Sequence, residues 1–186
     1  MNDFFATPSS GRDDWKSKRK NMRTFHHILV PVDDSEHAQK AAQFAIEFAA
    51  KQSRVTFVYA VDVRRIYALA AQTPFMNPTS SIEASKEKAH RFVNRLIERA
   101  KDANVDANGL VVDGDPATAV LKAADDAKAD LIILSTHGRS GIPRLWMGSV
   151  AEAIIRRATL PVLVAPSVTG VEDVTVVPSS WHMAGS

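Results

Sequence analysis

Hydrophobic positions in residues 25–166 alternate between short continuous runs and longer stretches with helical spacing. The runs at 28–32, 55–61, 110–112, 131–134 and 162–164 are rich in β-branched residues, which is typical of strands buried on both faces of a sheet. Between them, apolar residues recur three and four positions apart and so share one face of a helix. The pattern predicts five strands separated by four helical stretches: an α/β fold with a parallel sheet and helices on both faces.

Apolar stripes locate three of the helices. The stripes consist of Ala38, Ala41, Ala42, Ala45, Phe48 and Ala49, then Ala89, Phe92, Val93, Leu96, Ile97 and Ala100, and then Val120, Leu121 and Ala124. Residues 73–81 contain Pro74 and Pro78 and are expected to form a long loop before the second helix.

Capping signals predict where helices begin. Ser80 with Glu83 and Ser149 with Glu152 have the spacing of a capping box, which satisfies free amides of the first turn. The dipeptide Asp115-Pro116 places an acceptor at an N-cap and a fixed φ at the first helical position. These signals predict the starts of the second, fourth and third helices respectively.

Composition limits the class of protein. The 186 residues, of which 45% are hydrophobic and 24% charged, suit one globular domain. We expect a basic polar leader at 1–24, a domain at 25–166 and a C-terminal tail at 167–186. No apolar run approaches the roughly 20 residues that span a bilayer, so no membrane contact is expected. Zero Cys excludes disulfides and thiolate metal sites, and with a poor signal-peptide pattern it favours a cytoplasmic location.

Basic residues are concentrated in the leader. Residues 1–24 hold six Lys or Arg against three Asp, whereas the remaining chain holds 17 basic and 18 acidic residues. The balanced body does not predict the basic surface stripe of a nucleic-acid-binding domain. The leader is interpreted as a solvated tail, with contact to an acidic partner as the alternative.

The segment after the fourth strand is the most informative for function. Gly138, Gly141 and Gly148 remove side chains where backbone amides can face an anion, and Ser149 adds a hydroxyl at a helix start. This pattern is typical of a phosphate site that lacks a lysine. The alternative, that the glycines are turn residues and Ser149 only an N-cap, stays open on spacing alone.

Other motifs were weighed for catalysis or metal binding. The chain has neither a Gly-Lys Walker A loop nor a G-x-G-x-x-G segment after a strand. Adjacent Asp33 and Asp34 suggest a metal pair or an acid and base, but neighbours leaving a strand usually point apart, and we expect Asp34 to cap the helix with Ser35. Ser135 and His137 lack a nucleophile elbow, so a catalytic triad is not expected.

Several motifs, taken in order, make residues 25–166 resemble the universal stress proteins. The matching segments are Ile28-Leu29-Val30-Pro31-Val32-Asp33-Asp34-Ser35, Gly114-Asp115-Pro116, residues 131–141, Gly148-Ser149-Val150-Ala151-Glu152 and Pro161-Val162-Leu163-Val164. The resemblance implies a Rossmann-like fold of the adenine nucleotide alpha hydrolase type, with one five-stranded parallel sheet in the order 3-2-1-4-5. It also implies ATP between strands 1 and 4, and homodimers paired through Pro161, Val162, Leu163 and Val164.

The resemblance assigns roles within this nucleotide site. It places Pro31, Val32, Asp33 and Ala60 towards the adenine and ribose, Leu134 and Ser135 under the ribose, and Gly138, Arg139, Gly148, Ser149 and Val150 around the phosphates. Mg²⁺ or Mn²⁺ is expected to be held mainly by phosphate oxygens and waters. The family loop reads Gly, two residues, Gly, nine residues, Gly, then Ser or Thr, and here Ser135 replaces the first Gly.

Three functions follow from this pattern. The leading hypothesis is a homodimeric universal stress protein that binds ATP, or AMP or ADP, as a stress-response switch or sensor with at most slow hydrolysis. In the second, Ser135 marks the loss of the nucleotide pocket, and the chain is a dimeric interaction module. The third is a slow ATPase or nucleotidyl-transfer enzyme on the same fold. No catalytic residue is assigned.

Overall fold

The β-branched runs form the strands of a single twisted sheet. The computed structural model describes residues 25–49, 53–135 and 148–165, and the backbone of 175–177. Its strands are β1 (His27–Val32), β2 (Arg54–Val61), β3 (Asp106–Asp113), β4 (Leu131–Ser135), β5 (Val162–Ala165) and β6 (Thr175–Val177). The order is β3-β2-β1-β4-β5-β6, with β1 to β5 parallel. The predicted five-stranded parallel sheet is confirmed, and β6 is a strand that the sequence pattern did not indicate.

Helices cover both faces of the sheet. They are α1 (Glu36–Phe48), α2 (Val63–Ala70), α3 (Pro78–Asp102), α4 (Pro116–Asp126) and α5 (Ser149–Arg157). The Ala-rich stripe of α1 and the Phe92 stripe of α3 pack on one face, against side chains such as Ile28 and Phe57. On the other face, α4 and α5 pack through Val120 and Ile154. Alternate residues of each central strand therefore serve two separate cores.

One predicted helix start is wrong by three residues. Helix α3 begins at Pro78, and its N-cap is Asn77, whose side chain accepts from the amides of Thr79 and Ser80. Ser80 therefore lies inside the first turn, where its hydroxyl donates to the Asn77 carbonyl. Pro78 at the first position fixes the entry to the helix, and this signal was counted as part of the loop.

The start of α4 follows the prediction. The Asp115 side chain accepts from the Thr118 amide at 3.1 Å, and Pro116 is the first helical residue. The preceding Gly114 has φ of 127°, which L side chains rarely adopt.

Helix α2 was not predicted. It follows β2 directly, with Asp62 as its N-cap, and none of its residues is fully buried. Val63 and Ile66 pack on the α1–α3 core, whereas Tyr67 and Leu69 are exposed. Its eight residues make about two turns, which is shorter than the window of roughly 11–18 residues over which helical spacing is recognised, so the sequence pattern did not reveal it.

The amino ends of β1, β2 and β3 are joined by a polar chain. Buried Thr56 donates its hydroxyl to Asn108 and lies 2.7 Å from His27 Nε2. Because the Thr56 proton goes to Asn108 Oδ1, His27 must donate from Nε2. Asp130 closes the same end by accepting from the His26 and His27 amides. This end of the sheet is therefore structural, and the opposite end is open for a ligand.

The β5 edge is paired within the chain. β6 runs antiparallel to β5, with Leu163 opposite Val176. The resemblance to the family implies that a second copy of the chain pairs with this edge. In this structure the cover comes from Thr175–Val177, within the region expected to be a tail. Homodimerisation through Pro161–Val164 stays a prediction.

Candidate functional site

The described part of the chain encloses a cavity of about 840 Å³ at the carboxyl ends of the strands. The chain leaves β1 for β2 on one side, and β4 pairs with β1 on the other. Connections that depart in opposite directions leave a crevice between the strand ends, which is where open parallel sheets bind ligands. The cavity lies at this switch point.

The structure brings together most of the residues predicted for a nucleotide site. The cavity lining includes Pro31, Val32, Asp33, Ala60, Leu134, Ser135, Gly148, Ser149 and Val150. They come from β1, β2, β4 and α5, and are as far as 119 positions apart in the chain (31 to 150). Gly138 and Arg139 lie outside the described residues.

Asp33 and Asp34 have different partners. Asp33 accepts from the Ser35 amide at 3.0 Å, in a turn that holds its carboxylate at the cavity wall. Asp34 is ion-paired with Lys88 of α3, and the Tyr59 hydroxyl is 3.5 Å from its other oxygen. The N-cap of α1 is Ser35, which accepts from the Ala38 amide. The predicted capping role of Asp34 is therefore wrong.

Helix α5 presents an uncapped first turn to the cavity. Its N-cap is Gly148, which has no side-chain capping bond, and Ser149 is the first helical residue. The predicted capping box is not formed, because Ser149 lies inside the helix and not at its N-cap; the Glu152 carboxylate pairs with Arg156 one turn later. The first-turn amides of a helix carry partial positive charge and have no partner within the helix. The start of α5 is thus suited to an anionic group.

Helices α2 and α3 form a cavity wall that the sequence pattern did not reveal. Arg65, Ile66 and Leu69 line it from α2, and Ser85 and Lys88 line it from α3. No motif signalled these residues, because α2 itself was not predicted and Lys88 lies on the exposed face of a long amphipathic helix.

An ion pair joins α2 to the start of α4 at the cavity rim. Arg64 donates to Asp115 at 2.8 Å. The Thr118 hydroxyl and amide also donate to this carboxylate, and together with the nearby Arg64 and Arg157 they hold the pKa of Asp115 below its usual value. Asp115 therefore stays ionised at neutral pH and connects two walls of the site.

Two further kinds of site are absent from the described residues. They contain no group of three or more His, Asp or Glu side chains able to hold a metal ion. None of their helices is both long enough and apolar enough to span a bilayer.

Comparison with known proteins shows the same family over nearly the whole domain. Residues 24–166 match the model of the universal stress protein family. A universal stress protein of Methanocaldococcus jannaschii is 31% identical over 147 residues, which cover 78% of this chain and 85% of the relative.

Solved structures show the same architecture. A universal stress family protein of Burkholderia pseudomallei has a TM-score of 0.63 and 30% identity, covering 78% of this chain and 99% of its own. A universal stress protein solved in complex with cAMP has a TM-score of 0.53 and 25% identity, covering 77% of this chain and 98% of its own. With a family model that spans 24–166 and the expected sheet order, the chain belongs to the universal stress protein family.

Proposed function

We propose that this chain binds an adenine nucleotide, ATP in the first instance, in the cavity between β1 and β4 and acts as a stress-response switch. The observation that carries the proposal is the composition of one cavity: a carboxylate at Asp33, a small residue at Ala60, and the uncapped start of α5. These three features suit ribose hydroxyls, a flat base and phosphates respectively. A relative with the same fold is described in complex with cAMP, which supports this ligand class.

The geometry suggests how the nucleotide lies. Ala60 and Leu134 are the penultimate residues of β2 and β4, which lie on either side of β1. Two strand spacings separate them, or about 10 Å, which is comparable to the length of a nucleoside monophosphate. We place the base near Ala60, the ribose over Asp33 and Leu134, and the phosphates at Gly148 and Ser149. Gly138 and Arg139 complete the phosphate end in this proposal.

The described residues supply phosphate binding without a metal-binding cluster. A Mg²⁺ or Mn²⁺ ion would be held through the phosphates and waters, as hard cations often are beside nucleotides. It would neutralise charge on the phosphates. Because no described residue of the site stands out as an activating base or arginine finger, we propose a binding switch with slow hydrolysis at most.

Calorimetry of the full chain with ATP and Mg²⁺ tests the proposal. Asp33→Asn should weaken binding about five- to tenfold, because a ribose hydroxyl loses a charged acceptor. Asp106→Asn is the matched control, because Asp106 begins β3 at the opposite end of the sheet and pairs with Arg54. Absence of binding by the wild-type chain, or equal affinities of the two variants, would contradict the proposal.

The interaction-module alternative depends on Ser135. Its side chain is half-buried at the end of β4 and lines the cavity, where the family loop has Gly. Ser135→Gly is the separating experiment: nucleotide binding by both wild type and variant supports the switch. Binding by the variant alone would make the native chain a module that has lost its ligand.

A further inference from the structure

Helix α2 forms one wall of the cavity while burying little of its own surface. Arg65, Ile66 and Leu69 line the cavity from this helix. None of its eight residues is fully buried, and only Val63 and Ile66 pack, partly buried, on the α1–α3 core. Segments with so few buried apolar contacts open locally at a lower free-energy cost than the whole domain. α2 is therefore a cavity wall that can open while the sheet stays folded.

The connection from α2 to α3 does not hold α2 in place. Residues 71–75 are all exposed. Phe75 is fully exposed and has φ of 65°, in the left-handed region that aromatic residues rarely adopt. Helix α3 begins after its own N-cap, Asn77, and is fixed at its start by Pro78. Because α3 is capped independently, α2 can leave the core without unwinding α3.

An ion pair ties α2 across the cavity rim to the start of α4. Arg64 donates to the Asp115 carboxylate at 2.8 Å. The Thr118 hydroxyl donates to the same carboxylate at 2.6 Å, and Arg157, in the last turn of α5, donates to the Thr118 hydroxyl oxygen at 3.2 Å. Asp115 is thus held by α4 and α5 independently of Arg64. The ion pair joins a weakly buried helix to a fixed carboxylate.

We propose that α2 is a lid over the cavity and that the Arg64–Asp115 ion pair is its latch. An isolated helix of eight residues is not stable in water, so α2 opens by unfolding and not as a rigid helix. A ligand in the cavity contacts Ile66 and Leu69 only while α2 is folded in place, and it therefore favours the closed lid. The ligand of this lid rests on the proposed function, whereas opening of α2 in the free protein does not.

Amide exchange in the nucleotide-free chain tests the latch. The amides of Ile66 and Ala71 donate to backbone carbonyls four residues earlier, at 3.2 and 3.0 Å. Both amides are protected only while α2 is folded. Arg64→Gln should make both exchange about two- to fivefold faster, which corresponds to the loss of an exposed ion pair. Arg64→Lys keeps the charge and should restore the exchange rates towards those of wild type.

Arg54→Gln is the matched control for the latch. Arg54 forms an exposed ion pair with Asp106 at 2.9 Å, at the opposite end of the sheet, so its loss should leave exchange in α2 unchanged. The Ile132 amide, which donates to the Pro161 carbonyl at 3.0 Å, reports unfolding of the whole domain. Unchanged exchange of α2 in Arg64→Gln would overturn the latch. Equal acceleration at Ile132 would show that α2 opens only with the whole domain, and would overturn the lid.

Stopped-flow release of a fluorescent ATP analogue tests the lid with its ligand. Because release requires an open lid, Arg64→Gln should release the analogue about two- to fivefold faster than wild type and Arg54→Gln. Saturating ATP should also slow exchange of the Ile66 amide. Faster exchange in Arg64→Gln with unchanged release would refute gating by α2. A wild-type chain that binds no nucleotide would contradict the proposed function, while exchange in the free protein would still confirm or refute the latch.

Discussion

At the scale of single residues, the site depends on small side chains as much as on charged ones. Ala60 is half-buried at the end of β2 and leaves room at the cavity wall. Asp33 accepts from the Ser35 amide within its own turn. The turn thus helps to position the Asp33 carboxylate. The small Ala60 side chain leaves the space beside it open.

Filling that space should weaken nucleotide binding without unfolding the protein. Ala60→Phe places a ring in the cavity, so we expect ATP affinity to fall more than tenfold, equivalent to about 1.4 kcal/mol or more. Ala68→Phe is the control, because Ala68 is exposed on α2 and does not line the cavity. Calorimetry with both variants makes the comparison. Unchanged affinity in Ala60→Phe would place the ligand elsewhere.

Asp115 makes the free energy of unfolding depend on pH in the acidic range. Its pKa is lowered in the folded state, first by the Thr118 hydroxyl. The stabilisation is therefore present above the ordinary value of 3.8 and is lost as the pH falls through the lowered folded value. Asp115→Asn keeps an N-cap acceptor but loses the charge. Without nucleotide, the variant should be less stable than wild type at pH 7 by at most about 1 kcal/mol, since the pair is exposed.

Urea unfolding between pH 7 and pH 2.5 measures this difference. The difference in free energy of unfolding between wild type and Asp115→Asn should be constant down to about pH 5 and should then decrease. If this difference increased in acid, the Asp115 carboxylate would not be stabilised by its neighbours. Lys122→Gln provides a control for charge removal on the exposed face of α4, where Lys122 pairs with Asp126.

At the scale of elements, α3 lies so close to β3 that one strand position must be Gly. A Cβ added to Gly109 would be 1.9 Å from Val93 Cγ1 and 3.2 Å from Ile97 Cδ1. Val93 is buried and β-branched, so it has little freedom to move. This contact explains why an edge strand that begins Asp-Ala-Asn-Gly, a sequence with turn character, still pairs with β2 from Asp106 to Asp113.

A double-mutant cycle tests this contact. Gly109→Ala should destabilise the fold by about 1–3 kcal/mol through overpacking. Val93→Ala removes the clashing methyl group, and the double variant should be more stable than the sum of the single effects predicts, by about 1 kcal/mol. Denaturant unfolding of the four proteins gives the coupling energy. If the two effects on the free energy of unfolding were strictly additive, α3 and β3 would move apart in Gly109→Ala and the clash with Val93 would not form.

At the scale of the whole molecule, the amino ends and the carboxyl ends of the strands have different roles. The amino ends carry the His27–Thr56–Asn108 chain and the carboxyl ends carry the cavity. A change at the structural end should therefore lower stability and leave the ligand response intact. Helices on both faces connect the ends, but no cavity-lining residue belongs to the polar chain.

Melting temperatures with and without ATP test this division. At a nucleotide concentration of 100 Kd the ligand adds about 2.7 kcal/mol, which should raise the Tm of a domain of this size by roughly 5–10 °C. Thr56→Val leaves buried polar partners unsatisfied and should cost about 1–3 kcal/mol, yet its ATP-induced shift should equal that of wild type. A smaller shift in Thr56→Val would indicate that the two ends are coupled.

The sequence alone determined the fold class and most of the candidate site. Continuous β-branched runs and alanine or leucine stripes report burial directly, so β1 to β5 and the faces of α1, α3 and α4 were predictable. The positions of Asp33, Gly148 and Ser149 were found by resemblance of motifs. Their assembly in one cavity follows from strand order, because carboxyl ends of parallel strands share one edge.

Only the tertiary structure decided the features that depend on contacts between distant segments. Helix α2 is only eight residues long, and its place at the cavity comes from packing on α3 and from the Arg64–Asp115 ion pair. Asp34 was read as a cap because Lys88 is 54 positions away along the chain. β6 is three residues of ordinary strand character, and nothing local indicates that they cover β5. Local patterns report burial and backbone preference, whereas pairing between remote segments is decided by which surfaces the folded chain brings together.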